Sequence, residues 1–419
     1  MSASNSPSLG ALFRESLKIG CLGFGGPAGQ IALMHRVFVE ERGWIDEARF
    51  QRMLAFCMLL PGPEAQQLAT YVGWRLKGAF GAVMAGWLFV LPGALIVLGL
   101  SWLYVLHGEV PLVAAGFDGV KCAVVALVAE ALLKIGKRAL KTRAALWIAV
   151  AAFVALMLGA PFPLVVLAAG FVGAASSFHT DRPSPPTPSP RGRGGAMALL
   201  WLILWLAPVG LIAATLGTSH VLFKVAVLFS VLACVTFGGA YALLAYLTTE
   251  AAAAGWLTPE QMIDGLGLAE TTPGPLILVN EFVGFLAGWT HGGAGLALAG
   301  AALALWCTFA PSFVWIFAGA PIAEKLEHNR AATGALAAIT AAVLGVIAKL
   351  ALFFAAHALF RAQIHWGAID LPDLTAPRFW ALGLAFLAGL ALIRFKAPLL
   401  GVLAASIVGG LAAFMLHLP

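Results

Sequence analysis

Two copies of one message stand about half a chain apart, and both interrupt apolar sequence with residues that break helices. The first copy runs Phe24-Gly25-Gly26, Gly43-Trp44 and Pro61-Gly62-Pro63; the second runs Phe237-Gly238-Gly239, Gly255-Trp256 and Pro273-Gly274-Pro275. The offset between the copies is the same at all three landmarks to within a single position. Broken helices duplicated at matching positions predict a transporter made of two similar halves, with its site where the halves meet.

The surrounding composition admits few alternatives. Only 11% of the 419 residues are charged and 61% are hydrophobic, whereas a soluble domain carries roughly 25% charged residues. The polar surface is too small to cover a water-facing domain, so the expected class is an all-α polytopic membrane protein. The 47 glycines suit close helix packing in lipid. A net charge of +6 spread over loops bears on orientation rather than on nucleic acid. Cys21, Cys57, Cys122, Cys234 and Cys307 are scattered without a C-x-x-C pair, so neither a disulfide framework, a metal centre, a redox site nor any cofactor is called for. The first ten residues lack the basic start, apolar core and cleavage site of a signal peptide.

At ~20 apolar residues per span, about 13 segments are expected: 10–36, 47–76, 80–106, 113–137, 143–159, 161–178, 197–216, 220–248, 259–288, 292–319, 330–360, 377–394 and 397–417. This divides the chain into a first repeat, 10–178, a Pro/Arg/Gly-rich linker, 179–196, a connecting helix, 197–216, and a second repeat, 220–417. The linker contains Pro183, Pro185, Pro186 and Pro188 among polar residues and cannot build a core. Six segments, one extra and six more require the second repeat to enter the membrane upside down if every segment crosses once. The basic loop of Lys134, Lys137, Arg138, Lys141 and Arg143, and the arginines of the linker, are then cytoplasmic by the positive-inside rule. The C-terminal end falls outside. The mixed-charge loop 36–52 stays open: it lies outside if the broken segments cross fully and inside if they are re-entrant hairpins. Tryptophans near segment ends, such as Trp44, Trp74 and Trp256, read as interfacial anchors.

The breaks are the candidate site. Gly25 and Gly26 permit non-helical backbone, and Pro27 suits the first turn of a new helix; Pro61, Gly62 and Pro63 repeat the logic, as do Gly238, Gly239 and Gly274 in the second copy. A helix start offers an anion unpaired amides and a favourable dipole. Such backbone is tolerated at membrane depth only inside protein or beside water. The rival reading is that the breaks merely bend helices for packing. The polar side chains nearby, Gln30, Gln66, Gln67, Thr236, Tyr241, Thr271, Thr272 and Asn280, should face an interior. Glu64, in a first turn, either complements the dipole or carries a proton. Glu270 precedes its break, where the dipole disfavours a negative charge, and is the stronger candidate for proton exchange. Lys121 and Lys349 lie inside their segments and could serve an anion path, whereas Lys134 reads as a snorkelling residue beside Glu130.

The stretch from Phe24-Gly-Gly-Pro-Ala-Gly-Gln to His35, with Leu60-Pro-Gly-Pro-Glu-Ala-Gln-Gln67 and Tyr71-Val-Gly-Trp74, resembles the chromate transporters of the CHR superfamily. Thr236-Phe-Gly-Gly-Ala-Tyr241 through Glu270-Thr-Thr-Pro-Gly-Pro275 is similar to the second domain of their long, two-domain members. The resemblance implies efflux of chromate from the bacterial cytoplasm across the inner membrane, with chromate resistance as its phenotype. Sulfate is a chemically similar competitor, and a sulfate transporter of the same fold or an anion channel are the alternatives. No Walker sequence is present, so a secondary transporter or proton antiporter is expected; without paired cysteines or a Rossmann-like fingerprint, an enzyme is not. A homodimer stays open.

Overall fold

The computed structural model describes residues 7–24, 26–175, 194–237, 240–319, 330–366 and 369–418. Its helices, in chain order, are α1 (Leu9–Leu22), α2 (Gly26–His35), α3 (Glu47–Cys57), α4 (Glu64–His107), α5 (Pro111–Ala139), α6 (Arg143–Met157), α7 (Phe162–Ala175), α8 (Gly194–Thr215), α9 (Val221–Val235), α10 (Ala240–Ala253), α11 (Pro259–Thr271), α12 (Val279–Gly319), α13 (Arg330–Leu359), α14 (Phe379–Gly389) and α15 (Leu399–Met415). Among the described residues, five helical stretches are long and apolar enough to cross a membrane: α4, α5, α8, 276–319 and 333–359. Five more apolar helices are shorter.

The expected segments 10–36, 47–76, 220–248 and 259–288 are each divided by a break, giving α1/α2, α3/α4, α9/α10 and α11/α12. Two loops expected between spans are instead tight turns inside α4 and α12. At Lys77–Gly78 and at Gly292–Gly293 the backbone leaves helical angles, with φ +65 at Gly78 and φ +72 at Gly293. Each turn folds a half-helix back on the long helix that follows. Gly73 lies against the Gly81 carbonyl, and Gly284 and Gly300 lie against each other's carbonyls, so a side chain at any of these positions would hold the pair apart. The turns themselves need a residue without a Cβ penalty at positive φ.

The Gly-Trp landmarks are helix stops. The Gly255 amide donates to the Ala252 carbonyl (3.0 Å) and the Trp256 amide to Ala251 (3.0 Å), the paired bonds of a Schellman end with glycine just past the helix. Near Gly43, the Trp44 amide donates to Phe38 (2.9 Å) and the two rings stack. The interfacial role expected for Trp74 and Trp256 does not fit their burial, at 8% and 3% exposed; Trp74 packs edge-on against Phe317.

The described residues form two compact units. The first comprises Met1–Gly99, Ser177–Ala240 and Thr272–Gly334, and so draws elements from both copies of the message. Its centre is α12: 72% of the apolar window in 276–319 is buried, against 17% of that in α8. Trp201 of α8 stacks on Phe313, the Trp306 indole donates to the Leu204 carbonyl (3.0 Å), and that of Trp205 donates to Ser230 of α9 (3.1 Å). The connecting helix is thus tied to the second copy's α9 and α12.

The second unit comprises Leu100–Ser176, Tyr241–Thr271 and Ala335–Pro419. Small residues again set its packing: Gly119 lies on the Ser406 carbonyl, Gly410 on that of Ala115, and Gly345 on that of Ala149. One feature departs from the all-helical expectation. Between α13 and α14 the chain forms an antiparallel strand pair, β1 (Gln363–Trp366) and β2 (Ile369–Pro372), with Gln363 opposite Pro372. Its base is closed by the Arg378 amide donating to Leu359 (2.9 Å), and Asp373 accepts from the Thr375 hydroxyl and amide, which holds its carboxyl below the usual range. A short hairpin can form here because the segment links two helices rather than crossing lipid.

Candidate functional site

In the first unit the breaks of the two copies satisfy each other. The Gly274 amide, in the second copy's Pro-Gly-Pro, donates to the carbonyl of Gly23, at the end of α1 (3.0 Å). Reciprocally, the Gly62 amide, in the first copy's Pro-Gly-Pro, donates to the carbonyl of Thr236, at the end of α9 (2.8 Å). Gly23 and Thr236 occupy matching places in the two copies, and so do Gly62 and Gly274, so these are one contact made twice with the copies exchanged. Gly62 and Gly274 have φ of +106 and +98, a region that only glycine enters at low cost. The exchange extends to the long helices. Gly93 of α4 abuts Pro273 and Gly274, while Ser312 of α12 lies beside Gly62. Gly93 follows Pro92 and Ser312 follows Pro311, and each proline stands at the same distance beyond a tryptophan, Trp87 or Trp306. That repeated spacing is the signal by which sequence could have found them.

Around these contacts is a cavity of about 20 Å³ lined by Pro27, Gln30, Gly62, Pro63, Glu64 and Ala65 from the first copy and Thr236, Pro275, Leu276 and Ile277 from the second. On this measure one water needs roughly 10–15 Å³. The space therefore has room for one water and is too small for a five-atom oxyanion. Among the described residues, one carboxylate and no lysine, arginine or histidine lines it. Donors come instead from the start of α4. Helix geometry leaves the amides of Ala65 and Gln66 without an intrahelical acceptor, and the first bond in register is Gln67 to the Pro63 carbonyl (3.0 Å).

Gln30 spans the seam. Fully buried, its Nε2 donates to the carbonyls of Gly23 (3.1 Å) and Gly274 (2.5 Å). Two carbonyl acceptors fix which end of the amide carries the hydrogens. Its Oε1 has no partner among the described residues, and neither do both polar atoms of Gln66, the Gln67 Oε1, the Asn280 Oδ1 or the Ser312 hydroxyl, all buried. An orphaned buried polar group costs about 1–3 kcal/mol, so the first unit holds polar capacity that its own contacts do not use. Gln67 donates to the Pro61 carbonyl (2.6 Å), Asn280 to the Thr308 hydroxyl (3.0 Å), and the Thr236 hydroxyl to Leu232 (2.6 Å).

The expected site residues therefore divide. Pro27, Gln30, Gly62, Pro63, Glu64 and Thr236 line one cavity, with Gly274 hydrogen-bonded to the wall residue Gln30, Pro61 accepting from Gln67 behind the wall, and Gly26 at the start of α2. Gln66, Gln67, Thr272 and Asn280 are buried in the same unit. Gly25, Gly238 and Gly239 lie outside the described residues. Tyr241, Thr271, Glu270, Lys121 and Lys349 belong to the second unit. There the Tyr241 hydroxyl donates to Glu270 (2.7 Å), and that of Thr271 to Leu268 (2.7 Å). Lys121 pairs with Asp118 (3.0 Å) and Asp264 (3.7 Å), and Tyr104 donates to the other Asp264 oxygen (2.9 Å). Glu281, buried beside Asn280, escaped sequence reasoning although it stands in an apolar run.

The copies also differ in a way that the landmarks conceal. At the same offsets, Gln30 is matched by Leu243, Glu64 by Leu276, Gln66 by Leu278 and Gln67 by Val279. The first copy supplies the amide and carboxylate side chains of the cavity wall, and the second supplies Thr236 among apolar residues.

Comparison with known proteins follows this duplication. The chromate transporter family model matches residues 10–174 and 223–412. A chromate transport protein of Pseudomonas aeruginosa is 32% identical over 96% of this chain and 91% of its own. A probable chromate transport protein of Synechococcus elongatus is 30% identical over 87% of each chain, and a chromate transport protein of Cupriavidus metallidurans 28% over 96% and 92%. No solved structure gives a significant match. With both regions matched by one model and relatives aligned over nearly its whole length, the chain is a multi-pass membrane protein that belongs to the chromate transporter family.

Proposed function

We propose that this chain carries chromate out of the bacterial cytoplasm across the inner membrane by alternating exposure of the seam between the breaks, and so confers chromate resistance. The observation that carries the proposal is the reciprocal pairing of Gly274 with Gly23 and of Gly62 with Thr236 around a water-sized cavity. Family membership and the names of the relatives support chromate as the cargo. The paired breaks support two repeats of inverted topology, because one contact recurs with its partners exchanged. Opening the seam frees the Gly274 and Gly62 amides, which then join those of Ala65 and Gln66 as donors to the tetrahedral dianion. An inside-negative potential assists export by ~2.3 kcal/mol per charge per 100 mV, and proton exchange at Glu64 or Glu270 couples the cycle to pH.

Labelled chromate and sulfate flux into inside-out vesicles, with potential and pH gradient imposed separately, tests this reading. The expected result is saturable chromate accumulation that follows the potential, with sulfate as competitor. Non-saturating anion conductance would overturn the carrier, and indifference to chromate would overturn the cargo.

A further inference from the structure

Lys121, Lys134 and Lys349, all inside helices of the second unit, have different surroundings. Lys134 is paired with Glu130 (2.6 Å), and Lys121 with Asp118 and Asp264. Lys349, in the C-terminal half of α13, has no carboxylate within ion-pair distance among the described residues; its Nζ donates to the Leu156 carbonyl at 2.9 Å. Beside it is a cavity of about 210 Å³, ten times the volume of that at the breaks, walled by Met157, Leu350 and Phe353 together with Thr248 and Thr249. The two hydroxyls donate to their own helix, Thr248 to Leu244 (2.7 Å) and Thr249 to Ala245 (3.1 Å). The ammonium, with one of its three hydrogens engaged, is left as the cavity's charged donor.

A cation within an apolar helix is costly unless an anion or a polar path accompanies it. We infer that the Lys349 cavity binds an oxyanion group, either free or borne on a lipid headgroup. The volume admits a five-atom oxyanion with water, and the apolar wall admits the first carbons of an attached chain. The free-anion form rests on the proposed transport of chromate; the lipid-borne form does not.

The test uses the full chain in phosphatidylcholine nanodiscs with labelled chromate, comparing wild type, Lys349→Met and Lys349→Arg. Loss of one chromate site per chain in Lys349→Met, restored in Lys349→Arg, identifies the free oxyanion. With equal chromate binding, native mass spectrometry after adding phosphatidylglycerol decides: lipid retained by wild type and Lys349→Arg but lost from Lys349→Met identifies the headgroup. Equal chromate and equal lipid in all three proteins overturns the site and leaves Lys349 a structural tether to Leu156. Lys349→Arg also controls for folding. Chromate binding that survives in Lys349→Met reports on the seam alone. Absence of chromate binding in every protein counts against the proposed transport while the lipid measurement still judges this site.

Discussion

Gln30→Leu replaces the bridging amide by the residue that occupies the matching place in the second copy, Leu243. The two bonds lost are not equivalent. The Gly23 carbonyl keeps the hydrogen bond from the Gly274 amide, so the loss there is about 1 kcal/mol. The Gly274 carbonyl has no other donor among the described residues, and orphaning it costs about 1–3 kcal/mol. Removing the unpartnered Oε1 returns about 1 kcal/mol. The net destabilisation of the closed seam is about 1–3 kcal/mol, a shift of roughly 5- to 150-fold in its population. Gln30→Glu should be worse, because a carboxylate would face two carbonyl oxygens with nothing to donate. Thermal unfolding of the purified protein and chromate flux per folded molecule in inside-out vesicles would read both effects. The expected order of stability and of flux is wild type, then Leu, then Glu. Wild-type stability and flux in Gln30→Leu would show that the residue only fills space and does not hold the seam closed.

A Cβ on Gly93 would strike the Pro273 carbonyl and stand 2.7 Å from Leu278 Cδ1, so Gly93→Ala should lower stability by about 1–3 kcal/mol. At the exchanged position, Ser312→Ala removes an unpartnered buried hydroxyl and should be neutral or stabilising in the same thermal assay. Glu270→Gln is expected to keep chromate binding and lose the dependence of flux on a pH gradient, while Glu64→Gln separates capping from coupling. Unchanged pH dependence in both variants would leave the membrane potential as the sole drive.

The parts of this fold legible in sequence are those written in residue type. Gly and Pro inside apolar runs mark the breaks, and the polar residues beside them are buried as their cost in lipid requires: Gln30, Gln66, Gln67, Thr236 and Asn280 are at most 1% exposed. What cannot be read is pairing. Nothing local to Gly23 says that its carbonyl meets the amide of Gly274, more than half the chain away. The turns at Gly78 and Gly293 look like interhelical loops because a two-position reversal and a longer connection leave the same mark in hydropathy. The Gly-Trp landmarks attract notice because they are duplicated, yet a repeated helix stop is duplicated along with everything else in the copy. Sorting the lysines needs their partners: Asp264 lies about a third of the chain beyond Lys121.

The exchanged contacts also impose a schedule on synthesis. Gly62 must wait for Thr236, and Gly23 must wait longer still for Gly274. At ~5–20 residues per second, the first copy stands in the membrane for about 10–50 s with its break amides and carbonyls unanswered. During that interval water, lipid headgroups or an assisting protein must serve those groups. The nascent first half is then at its most vulnerable, and an arrest placed just before α9 would strand a chain whose breaks have no mate.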